Sequence, residues 1–130
     1  MKLLAYEVDK RSFLGVLNED ETWVYPVSAA GMEYRSMKDL IREAGPSEME
    51  MLDYISKKAP GDVMGAAPVD EIRVVSPIAE PDQDIICLGI NYMDHAEESA
   101  RFEKRAFEKP EKAIYFSKRV NRTNDPDGII

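Results

Sequence analysis

Apolar and polar positions alternate through the first 27 residues. Leu3 to Val8, Phe13 to Leu17 and Thr22 to Val27 each read as a strand. The polar breaks Asp9-Lys10-Arg11 and Asn18-Glu19-Asp20-Glu21 carry turn chemistry, so the three strands are expected to form a small antiparallel unit. Trp23 and Tyr25 flank Val24, the pattern of a strand with one covered face. Trp23 could be a ligand platform, but a core or interface aromatic is the simpler reading. From residue 28 the period lengthens. Met37, Leu40 and Ile41 fall at helical spacing, which predicts a helix over 36–44 stopped by Gly45-Pro46. Ser47-Glu48-Met49-Glu50 has the form of a capping box, with Ser47 as N-cap and Glu50 at N3. The helix it opens carries Met51, Leu52 and Ile55 and is expected to end near Lys57-Lys58.

Residues 61–83 read as a connector punctuated by glycine and proline, with one short strand at Glu71–Val75. A boundary is expected near residue 76, giving an N-terminal domain over 1–76 and a second over 77–130. The second opens with an apolar run, Ile85 to Leu88, that reads as a buried strand broken at Gly89. A helix is predicted from Met93 to about Phe107. Asn91 is its N-cap, Asp94 stands at N3, and acids precede bases along it. Ala113 to Ser117 reads as a further strand. The loop Asn121 to Gly128 follows, then Ile129-Ile130, two β-branched residues that read as the start of another strand. The second domain is therefore expected to be incomplete. The expected fold class is α+β.

Composition narrows the function classes. The chain has 25 acidic against 17 basic residues and a formal charge of −8, which disfavours binding to nucleic acid or to an acidic membrane surface. No apolar run reaches the roughly 20 residues of a membrane span. The one cysteine, Cys87, precludes an internal disulfide and fits a reducing, cytoplasmic setting. Within its apolar run it reads as a small core residue.

Candidate chemistry gathers at residues 91–98. The one histidine, His95, lies three residues before Glu98, so on a helix the two side chains share a face. An imidazole with an ordinary pKa of about 6.5 can act as a base near neutrality. A carboxylate on its other nitrogen fixes the tautomer and stabilises the imidazolium formed. Taken alone, H-x-x-E is a weak signal, and a solvated histidine beside a glutamate is the plainer reading. Asp94, Glu97 and Glu98 could instead hold a metal, but successive helical residues diverge and do not converge on one ion. Gly89 has no companion glycines, so no phosphate loop is supported.

The wider pattern Gly89-x-Asn91-Tyr92-x-x-His95-x-x-Glu98, with Tyr115-Phe116-x-Lys118 and Pro126-Asp127-Gly128-Ile129-Ile130, resembles the fumarylacetoacetate hydrolase family. Its acylpyruvate hydrolase and 2-hydroxyhepta-2,4-diene-1,7-dioate isomerase branches look most similar. The resemblance is specific over 72–130 and extends to the layout of a small N-terminal domain ahead of the motif. It implies the N-terminal part of a metal-dependent hydrolase, isomerase or decarboxylase of small 2-oxo or diketo acids, in aromatic catabolism. The implied fold is a small β/α domain followed by the truncated start of a mixed β-roll. His95 would be the general base and Glu98 its orienting partner, with Asn91, Tyr92 and Lys118 binding substrate. The implied cofactor is Mg2+, with Mn2+ or Ca2+ as substitutes. Its Glu-x-Glu and Asp ligands lie downstream in the family, so no residue here is assigned to metal. A homodimer is implied. The alternative from another class is a truncated, non-catalytic interaction or oligomerisation domain, whose apolar strands a partner or second copy would cover.

Overall fold

The computed structural model describes residues 1–89 and 112–129. Its elements in order are strands β1 (Leu3–Val8), β2 (Arg11–Leu17) and β3 (Trp23–Pro26), helices α1 (Met37–Glu43) and α2 (Pro46–Ser56), then strands β4 (Ala67–Pro68), β5 (Arg73–Val75), β6 (Ile85–Gly89) and β7 (Ile114–Lys118). The chain is α+β. It divides into two compact units, one formed by Met1–Ala79 with Thr123–Ile130, the other by Glu80–Arg122. The sequence suggests one boundary near residue 76. The packing has two crossings, because the last residues return to the first unit.

In the first unit five antiparallel strands lie in the order β4-β3-β2-β1-β5. β1 and β2 are joined through Asp9 and Lys10, both at positive φ (49° and 63°), the conformation that matches a tight two-residue hairpin to strand twist. Directly paired residues share a face. Leu3, Val16 and Tyr25 fall on one side, and Leu17, Val24 and Ala67 on the other. The first side meets the helices. Val16, Tyr25, Val27, Met37, Leu40, Leu52, Ile55 and Val63 form its buried core. Trp23 is half-buried against that core, as a packing aromatic. Leu4, Tyr6 and Val24 form a smaller buried cluster with Val8, Leu17, Ala67, Ile72 and Val74 against it.

Gly15 makes this second cluster possible. A Cβ there would lie 2.8 Å from Tyr6 Cε1, nearer still to Val24 Cγ2, and 3.1 Å from the Tyr25 carbonyl oxygen. Tyr6 and Val24 therefore close over a position that no side chain can share. Tyr6 also stacks on Phe13, with centroids 5.5 Å apart. We predict that Gly15→Ala costs about 2–3 kcal/mol of stability, since added volume must displace packed groups. In urea denaturation, trimming Val24 to alanine in the same chain should recover part of that loss. Simple additivity of the two changes would show that the steric conflict is not the cause.

Both helices form over nearly the expected residues, but the second starts differently. Ser36 caps α1, its hydroxyl accepting from the Asp39 N–H at 3.2 Å. For α2 the expected N-cap, Ser47, lies inside the helix. Gly45 is the cap, Pro46 opens the first turn, and Glu48, not Glu50, reaches back to accept from the Gly45 N–H at 3.0 Å. Proline suits that first position because its φ is preset and its missing N–H has no partner to lose. Lys57, the C-cap residue just past α2, lies 2.6 Å from Asp53. That pairing lowers the Asp53 pKa and raises that of Lys57.

Tyr25 ties sheet to helix. Its ring is fully buried and its hydroxyl donates to the Lys58 carbonyl at 2.8 Å, just beyond α2. Burial, then the charges of Asp20 and Asp62, push its pKa above the ordinary 10.0. The neutral phenol is thus the form the fold favours. Its stabilising contribution is complete below the unfolded-chain value and is lost as pH rises through the higher folded value. Stability of the first unit should therefore fall above about pH 10. In Tyr25→Phe this alkaline loss should be shallower, while stability at pH 7 drops by about 1 kcal/mol for the carbonyl left unpaired. Chemical denaturation at pH 7 and across pH 9–11 reads both, and an unchanged alkaline slope would refute the assignment.

In the second unit β6 and β7 pair antiparallel from Ile85↔Lys118 to Gly89↔Ile114. The apolar run expected to be buried is a strand, but an exposed one. Ile85, Ile86, Leu88, Ile114, Tyr115 and Phe116 are all exposed, Ile86 at 74% and Tyr115 at 67%. Cys87 is half-buried, not a core residue. Among the described residues these two strands form a sheet without a third, so each has one edge without a strand partner there.

Candidate functional site

The residues that carry the sequence motif enter directly after β6. Among the described residues Gly89 is the last of β6, paired with Ile114, and its φ is not in the left-handed region. A Cβ there would meet Ile114 atoms at 3.5–3.7 Å, ordinary van der Waals distances. Its place is therefore set by pairing and not by a steric need for glycine. The apolar character of β6 and the β-branched Ile85, Ile86 and Ile114 explain why this pair forms at all.

Asn91, Tyr92, His95 and Glu98 lie outside the described residues, as does the helix expected over 93–107 and the rival acidic group of Asp94, Glu97 and Glu98. Lys118 is the one candidate with a described position. It closes β7, exposed, opposite Ile85. Gly89 stands at the other end of the same ladder, about 13 Å away along the strand at the usual rise per residue. No two of the five candidates are brought together within the described residues.

Within the first unit, residues 73–79 and 123–125 build a polar clasp. The Thr123 N–H donates to the Ala79 carbonyl at 2.8 Å, and its hydroxyl donates to the Ile78 carbonyl at 2.8 Å. Ser76 Oγ hydrogen-bonds the same hydroxyl oxygen. Asp125 accepts from the Ser76 N–H at 2.9 Å through one oxygen and from Arg73 Nη2 at 2.6 Å through the other. Arg73 Nη1 also reaches Glu7 at 2.9 Å. Ile78 packs its side chain against the main core. Residues 121–128 are irregular, as their composition suggests, and the cluster they join is not marked by any motif. The only signal was composition: Ser, Thr and Asp are the side chains that bond backbone groups in irregular segments. A turn then follows, with the Gly128 N–H on the Asp125 carbonyl at 2.9 Å and the Asn124 amide on the Ile129 carbonyl at 3.0 Å.

Among the described residues no three His, Cys, Asp or Glu side chains gather to hold a metal ion. Asp125 and Glu7 are instead engaged by Arg73. No described residue is therefore assigned to a cation. No helix among the described residues is long and apolar enough to cross a membrane. No protein-family model matches the chain, and no curated protein matches it.

Proposed function

We propose that this chain carries the base-bearing part of a hydrolase, isomerase or decarboxylase of small 2-oxo or diketo acids, similar to the fumarylacetoacetate hydrolase family. The observation that carries the reading is the spaced motif Gly89-x-Asn91-Tyr92-x-x-His95-x-x-Glu98. For the hydrolase, His95 takes a proton from water while Glu98 holds the imidazole in the right tautomer, the hydroxide formed attacks the acyl carbonyl, and the bond to the neighbouring methylene breaks, the enolate that leaves taking a proton back from the imidazolium. Lys118, Asn91 and Tyr92 bind the substrate's carboxylate and keto oxygens. The reading includes a divalent cation, Mg2+, whose Glu-x-Glu and Asp ligands the resemblance places downstream of the motif, and no step is assigned to it here. It also includes a cytoplasmic homodimer, and the single cysteine fits a reducing compartment. The test is direct: the full-length protein with Mg2+ should cleave an acylpyruvate or decarboxylate oxaloacetate, and EDTA should abolish it. Absence of turnover on both compounds with Mg2+, Mn2+ and Ca2+ each supplied would refute the reading.

One observation favours a second reading, a non-catalytic interaction or oligomerisation domain. The exposed apolar residues of β6 and β7 are of the kind a partner or second copy covers. Turnover separates the two, since both readings allow a second copy: cleavage of an acylpyruvate by the protein removes the second reading.

A further inference from the structure

The hairpin of β1 and β2 decides which way the backbone groups of β5 point. Its loop has two residues, so Val8 and Arg11, which flank it, exchange both hydrogen bonds. Alternation then turns Leu4 and Tyr6 toward β2 and leaves Ala5 and Glu7 to bond their partners Val75 and Arg73 on β5. The N–H and C=O of Val74, between those partners, therefore point away from β1, and the Ser76 N–H continues on the same outer side. Among the described residues β5 is one edge of this sheet and β4 the other. An edge strand with outward backbone groups is a template for another strand. β4 is two residues long and ends in Pro68, which has no N–H to offer. β5 is longer and carries no proline.

What lies on the outer side of β5 is the segment 123–125. Asp125 accepts from the Ser76 N–H at 2.9 Å and from Arg73 Nη2 at 2.6 Å. Thr123 bonds the Ile78 and Ala79 carbonyls, through its hydroxyl and its N–H, at 2.8 Å each. Residue 123 lies beside 78–79 and residue 125 beside 73–76, so the segment runs antiparallel to this stretch, in the direction of a pairing strand. On an open edge the strand that fits is the β5 of a second copy. About a two-fold axis at Val74, the two Val74 residues face each other and each Arg73 faces a Val75, so no like charges are opposed.

We propose that residues 123–125 are a guard on the β5 edge, occupying the side on which a second copy would add its own β5. The guard acts within the first unit, whatever reaction the protein catalyses.

Sedimentation equilibrium compares the parent with Thr123→Ala/Asp125→Ala. An opened edge offers a pair of backbone hydrogen bonds at Val74, so the double variant should associate roughly tenfold more tightly than the parent, whatever assembly the parent itself forms. Adding Val74→Pro removes the outward N–H and none that bonds β1, and should return association to the parent's level. Equal association of parent and double variant overturns the guard. So does a tighter association that survives Val74→Pro, because the contact is then elsewhere. Hydrogen exchange decides the matter even if the double variant does not fold. In the parent the Ser76 amide, which has no partner on β1, should exchange about as slowly as that of Val75. In Asp125→Ala it should exchange at least roughly tenfold faster, with β1–β3 unchanged, while Asp125→Asn, which keeps an acceptor, should stay near the parent. A Ser76 amide that exchanges in the parent as fast as in an open chain overturns the proposal, and so does an equal rise across β1–β3 in Asp125→Ala.

Discussion

Replacing His95 with alanine is expected to lower kcat on an acylpyruvate by about a thousandfold, within the range a positioned general base contributes. The chemistry sets the size. Water is a poor nucleophile toward an unactivated carbonyl near neutral pH, and the imidazole is the group in the motif that can take its proton there. kcat/KM of the parent should rise with pH as the imidazole loses its proton, and the alanine variant should lack that limb. Glu98→Gln keeps a hydrogen-bonding side chain but no longer stabilises the imidazolium, so it should fall between parent and His95→Ala. A His95→Ala protein with parental turnover would show that the base is elsewhere, even if the substrate class were right.

Leu52→Ala should be the most damaging single change to the first unit, costing about 3–5 kcal/mol. Leu52 has no exposed surface and sits on α2 among Val16, Tyr25, Leu40 and Ile55. Truncation removes its transfer free energy and leaves a cavity between helix and sheet. Neither can collapse freely, because α2 is also pinned at its end by the Tyr25–Lys58 hydrogen bond. A unit of this size has a total stability on the order of 5–10 kcal/mol, so about half would be lost, with the melting temperature down by roughly 15–30 °C. Calorimetry or urea unfolding reads it, and a loss under about 1 kcal/mol would mean that the helix–sheet contact is not the main source of stability.

Much of the first unit was legible because its signals are local. β1 spans Leu3–Val8 as the alternation suggested, and α1 begins directly after its serine cap. The start of α2 was misplaced because two capping patterns overlap at 45–50, and the sequence alone does not rank Pro46 with Glu48 over Ser47 with Glu50. The strand at Ile85 was read correctly as a strand and incorrectly as buried: apolar composition reports what a residue prefers, not which neighbour is present to cover it. The partnership of Ser76 with Thr123 and Asp125 spans nearly fifty residues, and no period or spacing encodes it. At the candidate site the sequence supplies residue types and intervals. Lys118 is the one member with a described position, and Asn91, Tyr92, His95 and Glu98 lie outside the described residues.

The bond between the Ala79 carbonyl and the Thr123 N–H also defines the first unit as an architecture with a port. Chain leaves and re-enters at points one hydrogen bond apart, the arrangement in which insertions of any length are accommodated at small entropic cost. Joining Ala79 to Thr123 through a short glycine-containing turn would make the unit a continuous polypeptide, and the present excursion could be exchanged for another without disturbing the sheet or its helices.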